Sequence, residues 1–80
     1  MNMPDARLRD LFDLYVSRRI VEKYGFDEMA ALKSFLRSET YQMLIDRETE
    51  VYLMSPEIVF DMWECEQITH DPRNSIYIRV

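Results

Sequence analysis

The sequence predicts a mainly α-helical fold, a small bundle of about four helices followed by a short C-terminal strand or extended arm. Three observations support this prediction. The 80 residues include only one Gly and three Pro, so few positions break a helix. Apolar residues make up 48%, enough to form a packed core, and they recur at helical spacing. The C-terminal SIYIRV has the apolar alternation of a strand with one buried face.

The first helix is expected over residues 5–24. Pro4 and Asp5 suit a first helical turn, and Gly25 is a typical C-terminal stop. The apolar positions drift around the helix, so that one face does not cover all of them. They are Leu8, Leu11, Phe12, Tyr15, Val16, Ile20, Val21 and Tyr24.

Two shorter helices should follow, each with its own N-cap. Asp27 is expected to cap the second, DEMAALKSFLR, and Ser38 the third, ETYQMLIDRE. The expected core residues of the second helix are Met29, Leu32, Leu36 and the neighbouring Phe35. Those of the third are Tyr41, Leu44 and Ile45.

The fourth helix has the clearest start in the chain. Ser55 supplies a hydroxyl cap, Pro56 the first helical position and Glu57 a negative charge in the first turn, and the helix should run to about Thr69. The preceding TEVYLM, residues 49–54, fits either a strand or a buried turn. The C-terminal strand would pair with residues 50–54 or with a neighbouring chain, or lie as an arm across the helices.

The length allows one domain, residues 1–80, and its charge is unevenly distributed. Residues 1–37 hold seven basic and six acidic side chains, a net charge of +1, whereas residues 38–72 hold one basic and nine acidic, a net charge of −8. Nucleic-acid affinity depends largely on cationic side chains, so this distribution makes nucleic acid an unlikely partner. It favours a basic partner, in this chain or another.

The fourth helix is apolar over more than half of its circumference. We interpret Val59, Phe60 and Trp63 as anchors of a protein–protein contact, because three short helices are not expected to cover so wide a surface. Ile76 and Ile78 extend this predicted interface if the C-terminal segment is exchanged between chains. A homodimer is the expected assembly.

Glu57, Asp61 and Glu64 form an acidic stripe on the rest of the fourth helix. Acid–base catalysis or a divalent cation would require convergence in a dry pocket and usually a third ligand from another element. A solvated face with a basic counterpart is the favoured interpretation. Arg18 and Arg19 are the predicted counterparts.

Cys65 and His70 suggest a nucleophile and its base, but no segment resembles an oxyanion hole. A single cysteine forms no intramolecular disulfide, and this pair lacks the four ligands of a structural zinc site. We interpret Cys65 as a small core residue and His70 as a side chain that offsets the helix dipole. The sequence predicts no catalytic residue, cofactor or metal.

The chain has neither an N-terminal apolar run of signal-peptide length nor a stretch approaching 18 apolar residues. Together with the single cysteine, this predicts a soluble cytoplasmic protein without a membrane partner.

Residues 35–66 combine a Phe-x-x-Ser-x-Thr-x-x-x-Leu helix, an acidic Glu-Thr turn, a Ser-Pro helix start and an amphipathic helix rich in Glu and Met. The matching residues are Phe35, Ser38, Thr40, Leu44, Glu48, Thr49, Ser55, Pro56, Asp61, Met62 and Glu66. This pattern resembles a group of small bacterial proteins of uncharacterised function, often encoded beside toxin–antitoxin-like or defence cassettes. The resemblance implies a partner-binding role and no particular activity.

The leading functional hypothesis is a non-enzymatic protein–protein interaction module that self-associates. The alternative is a DNA-binding or toxin–antitoxin-linked regulator, in which the second and third helices form a helix-turn-helix-like pair and Lys33 and Arg37 contact phosphates. A metal-dependent or hydrolytic enzyme using the acidic stripe is a third. The biological role, the partner and the oligomer number stay open.

Overall fold

Four α-helices form most of the chain that the structure describes. The structure is a computed structural model covering residues 6–75, the first three as backbone only. The helices are α1 (Ala6–Tyr24), α2 (Glu28–Leu36), α3 (Glu39–Ile45) and α4 (Pro56–Thr69). Short 3₁₀ turns at Arg47–Thr49 and Val51–Leu53 join α3 to α4, and a third, Pro72–Asn74, follows α4. The predicted small helical bundle is confirmed.

The helix boundaries follow the predicted caps. Asp27, Ser38 and Ser55 each accept a hydrogen bond from a backbone N–H two or three residues later, at 3.0, 3.0 and 3.4 Å respectively. Gly25, which has a positive φ of 72°, ends α1 by donating its N–H to a carbonyl of the last turn at 2.9 Å. Glycine adopts this left-handed conformation at little cost, which explains its position here.

Residues 50–54 form a turn, so they do not provide a strand for the C-terminal segment to pair with. Glu50, at φ 57°, redirects the chain into the 3₁₀ turn Val51–Leu53. The buried Val51 belongs to the core, as a buried turn requires. The predicted strand residues 76–80 lie outside the described residues.

The core lies between the inner faces of the helices. α1 contributes one line of residues spaced four apart, and α4 contributes the largest share. The buried apolar residues are Phe12, Val16, Ile20, Ala31, Phe35, Leu44, Val51, Val59, Phe60, Met62 and Trp63.

The predicted core face of α2 is only partly correct, because Phe35 lies in the core and the other predicted residues do not. Ala31 and Phe35 are fully buried, whereas Met29 is exposed and Leu32 and Leu36 are only half-buried. A helix this short holds two partial apolar stripes, and packing against α1 selects the stripe that contains the aromatic ring. The other stripe is left at the surface.

Candidate interaction surface

The predicted anchors on α4 are enclosed by the chain itself, which corrects their assignment to an interface. Val59 is fully buried, and Phe60 and Trp63 are only 4% and 2% exposed. The Trp63 ring contacts those of Tyr24, Phe26 and Phe60, with centroids 5.9, 6.4 and 6.3 Å away. The end of α1 and the turn after it therefore cover the apolar side of α4. Ile76 and Ile78, the other predicted interface residues, lie outside the described residues.

Long cationic side chains complete the cover over Phe60. The Arg19 guanidinium lies 5.0 Å and the Lys23 ammonium 5.8 Å from the centre of the Phe60 ring. A cation at this distance from the face of an aromatic ring is attracted to its π-electrons. Basic residues of α1 thus cover the Phe60 ring, which the sequence predicts to lie at a protein–protein interface.

The acidic stripe of α4 pairs with a cation of α1, but this cation is Lys23. Within residues 9–75 neither Arg18 nor Arg19, the predicted counterparts, forms a salt bridge with the stripe. The Lys23 ammonium lies 2.6 Å from the Glu64 carboxylate, which also accepts a hydrogen bond from the Tyr24 hydroxyl. Arg19 lines a concavity of about 360 Å³ with Glu57, Asp61 and Glu64. Arg18, the other predicted counterpart, lies on a different side of α1, in a groove against α2.

Lys23 could have been identified from its spacing. It follows Arg19 by four residues and shares its helix face, whereas Arg18 is displaced by about 100° on the helical wheel. The hydrogen bond to Glu64 and the attraction of that carboxylate raise the pKa of Lys23, although burial acts in the opposite direction. The ammonium therefore remains charged at neutral pH.

Asp61 and Glu66 act as hydrogen-bond acceptors within the fold. Asp61 accepts a hydrogen bond of 2.5 Å from the hydroxyl of the buried Ser75. The Glu66 carboxylate accepts from the backbone N–H groups of Glu39 and Thr40, at 2.9 and 2.8 Å, and from the Thr40 hydroxyl at 2.8 Å. Glu66 thereby binds the first turn of α3 to α4. Sequence analysis missed this contact because 26 or 27 residues separate the partners.

The Cys65 thiol is poorly suited to nucleophilic chemistry. Burial, then the nearby Asp61 and Glu64 carboxylates, raises the pKa of Cys65 above its usual value. A higher pKa reduces the fraction of reactive thiolate. His70 is exposed at the end of α4 in a left-handed conformation and donates its backbone N–H to the Glu66 carbonyl at 2.8 Å. Among the described residues, no group of three or more His, Cys, Asp or Glu side chains is arranged to hold a metal ion.

A largely apolar surface, which we call the α1–α2 surface, lies where the outer sides of α1 and α2 meet. Leu14 and Met29 are 52% and 58% exposed there, and Leu11, which is 61% exposed, precedes Leu14 by about one turn of α1 without lining the groove. Beside them runs a groove of about 540 Å³ between the two helices, whose apolar lining consists of Leu14, Val21, Met29 and Leu32. Large apolar side chains that share one groove are typical of binding surfaces.

The α1–α2 surface also carries three charged groups. Arg18, Glu22 and Glu28 line the groove beside the apolar residues. Within residues 9–75, Arg18 and Glu28 form no salt bridge, and the one salt bridge of Glu22 is an exposed 3.7 Å pair with Arg19. Exposed pairs of this kind contribute little to stability. All three charges are therefore accessible to a binding partner.

The surface explains the drifting apolar pattern of α1. Phe12, Val16 and Ile20 occupy the inner side, and Leu11 and Leu14 project from the outer side. The sequence already indicates this, because one face of α1 cannot hold all of its apolar residues. The predicted interface lies on α4, whereas the structure leaves Leu11 and Leu14 of α1 exposed.

The helices proposed to form a DNA-binding pair offer few cationic groups. Lys33 and Arg37 line a concavity of about 520 Å³ in which Glu66 is also present. The exposed positions of α3 are Glu39 and Gln42, and Glu39 pairs with Arg73. An acidic or neutral recognition helix is poorly suited to contact phosphates.

No helix within residues 6–75 combines the length and apolar composition needed to cross a bilayer. No protein-family model, curated protein or solved structure matches this chain.

Proposed function

We propose that this chain is a non-enzymatic protein–protein interaction module that self-associates in the cytoplasm. The observation that carries the proposal is the α1–α2 surface, where Leu14 and Met29 line a groove and are more than half exposed, with the exposed Leu11 one turn before Leu14. Exposing such groups to water is unfavourable, and their burial is the usual driving force of association. The surface replaces the α4 anchors Phe60 and Trp63 as the basis of the interaction hypothesis.

The chemistry of the described residues also favours binding over catalysis. The one thiol has a raised pKa, and three of the four carboxylates of α4 are occupied in holding Lys23, Ser75 and the start of α3. A partner-binding role also agrees with the resemblance of residues 35–66 to small bacterial proteins encoded beside toxin–antitoxin-like or defence cassettes.

The solution mass of the purified full-length chain tests the proposal. Light scattering coupled to size-exclusion chromatography, run over a wide concentration range, should show a dimer that dissociates on dilution. The Leu14→Ser variant should shift the equilibrium toward the monomer, because it removes an exposed apolar contact without disturbing the core. A monomer at every concentration of the unaltered chain contradicts self-association.

Two matched controls are available, because Leu53 and Ile68 are also exposed, at 67% and 77%, but line none of the groove. Leu53→Ser and Ile68→Ser should leave the mass unchanged. If they weaken association as strongly as Leu14→Ser, the contact lies elsewhere on the molecule.

A DNA-binding regulator is the competing function, and the concavity that contains Lys33 and Arg37 is the observation in its favour. The net charge of −5 and the acidic exposed side of α3 oppose it. A gel-shift titration at low salt, where electrostatic attraction is strongest, separates the two functions. DNA binding that is lost in Lys33→Ala/Arg37→Ala would support the regulator.

A further inference from the structure

We propose that the α1–α2 surface binds a second copy of the chain across a two-fold axis, with Arg18 of each copy paired with Glu22 or Glu28 of the other. This inference rests on the proposed self-association and specifies its geometry. In a two-fold interface the same patch is used twice, so it must be complementary to itself in shape and in charge. The α1–α2 surface meets both requirements.

The complementarity of shape comes from a ridge beside a groove. Leu11 and Leu14 project from the outer side of α1, and the groove begins at Leu14 and continues along Val21, Met29 and Leu32. When two copies meet, the ridge of each one faces the groove of the other. The leucine side chains of both copies are then buried in the same contact.

The complementarity of charge comes from the three polar groups in the groove. Arg18 and Glu22 are one helical turn apart on α1, and Glu28 lies in the first turn of α2. In an antiparallel crossing of two α1 helices centred near residue 20, each Arg18 faces the Glu22 of the other copy. The same crossing directs Leu14 toward the start of the other α2, where Glu28 and Met29 lie.

The presence of both charge signs in the groove favours a second copy over a strongly basic partner, which would place a like charge against Arg18. The groove holds one cation and two anions. In a two-fold pair each Arg18 meets one glutamate of the other copy, and the second glutamate of each copy has no partner across the axis. Charge pairs close to the two-fold axis fix the register of the contact and select the partner more than they raise affinity.

Charge reversal tests the pairing. Arg18→Glu alone, and Glu22→Arg/Glu28→Arg alone, should each raise the dimer dissociation constant at least about tenfold, because like charges then meet across the axis. An equimolar mixture of the two variants should form a heterodimer, since their altered charges are opposite. Sedimentation equilibrium with one variant labelled measures both effects, and circular dichroism verifies that each variant is folded.

Lys33→Glu is the matched control, because it reverses one charge on α2 outside the groove. Its dissociation constant should equal that of the unaltered chain. If the unaltered chain associates but both reversed variants associate equally well, or if their mixture forms no heterodimer, the proposed pairing is overturned and self-association stands. If the unaltered chain is monomeric throughout, the proposed function itself fails.

Discussion

Asp13 is a residue whose charge opposes folding. One of its carboxylate oxygens and the Nε of Arg9 are buried without a hydrogen-bond partner among the described residues. Burial, then repulsion from Asp10, raises the pKa of Asp13, while Arg9 acts to lower it. A carboxyl whose pKa is higher in the folded state binds its proton more tightly when folded. Ionisation of Asp13 therefore reduces stability as the pH rises through its unfolded pKa toward the raised folded one.

Replacing Asp13 with Asn should stabilise the protein at pH 7 by up to about 0.5 kcal/mol, a figure discounted because the carboxyl is partly exposed to solvent. The gain should shrink below the unfolded pKa, where Asp13 is already neutral. Urea unfolding at pH 7 and pH 3.5 measures both effects. Asp10→Asn removes a neighbouring exposed carboxylate and should have a smaller effect at pH 7. A loss of stability in Asp13→Asn would show that the attraction to Arg9 outweighs burial.

His70 is held in a left-handed conformation at φ 67°, a strained state for a residue with a Cβ. His70→Gly should raise the free energy of unfolding by about 0.5 kcal/mol, because relief of strain exceeds the added entropy of the unfolded chain. The midpoint of thermal unfolding measures this change. Glu50→Gly, at φ 57°, should behave alike, whereas Gln67→Gly, inside α4, should destabilise. An unchanged or lower midpoint for His70→Gly would mean that its side chain makes a compensating contribution.

Among the elements, α3 depends most on its neighbours. It has seven residues, too few for an independent helix in water, and its first turn is bound by the Glu66 side chain of α4. A carboxylate that accepts N–H groups at a helix start satisfies donors that have no partner within the helix. Ser38 therefore caps α3 only in part, and Glu66 of α4 supplies the remaining acceptor.

Glu66→Ala should destabilise the protein by about 2 kcal/mol, because it leaves two backbone N–H groups and the Thr40 hydroxyl without their acceptor. Glu66→Gln retains an acceptor oxygen without the charge and should cost less. Hydrogen exchange of the α3 amides should increase more than that of α1. Gln67→Ala, at the exposed neighbouring position, is the control. Equal exchange in Glu66→Ala and Gln67→Ala would contradict the role of Glu66.

The caps show how much of each element is predictable from sequence. Asp27, Ser38 and Ser55 act on backbone groups within three residues, so local sequence identifies the start of α2, α3 and α4. The burial of Phe60 and Trp63 depends on Lys23 and Phe26, which are distant in sequence, and local patterns contain no information on that packing. The same limitation applies to the predicted anchors on α4, which the structure encloses.

At the scale of the whole molecule, the structure separates a well-covered core from an uncovered apolar surface. Phe60 and Trp63 are enclosed by one chain, although Tyr24 and Phe26, which contact Trp63, are 45% and 38% exposed. The α1–α2 surface, by contrast, retains exposed leucine and methionine side chains. The aromatic core and the exposed apolar surface are therefore separate regions of the fold.

If the chain self-associates, its thermal midpoint should rise with protein concentration, because a folded dimer is stabilised by mass action. Scanning calorimetry from micromolar to millimolar concentration measures the slope. Leu14→Ser should reduce this slope toward zero without changing the midpoint that is measured for the dilute protein. A midpoint independent of concentration in the unaltered chain would show that no dimer contributes to stability.

The chain contains one tryptophan, and Trp63 lies where α1, the turn at Phe26 and α4 meet. Its fluorescence is consequently an intrinsic optical signal for the docking of these three segments, with no background from other indoles. Because this ring lies in the core and not on the α1–α2 surface, its emission should report unfolding and stay nearly constant when two copies separate. The fluorescence of Trp63 can therefore monitor tertiary structure while light scattering independently monitors the mass.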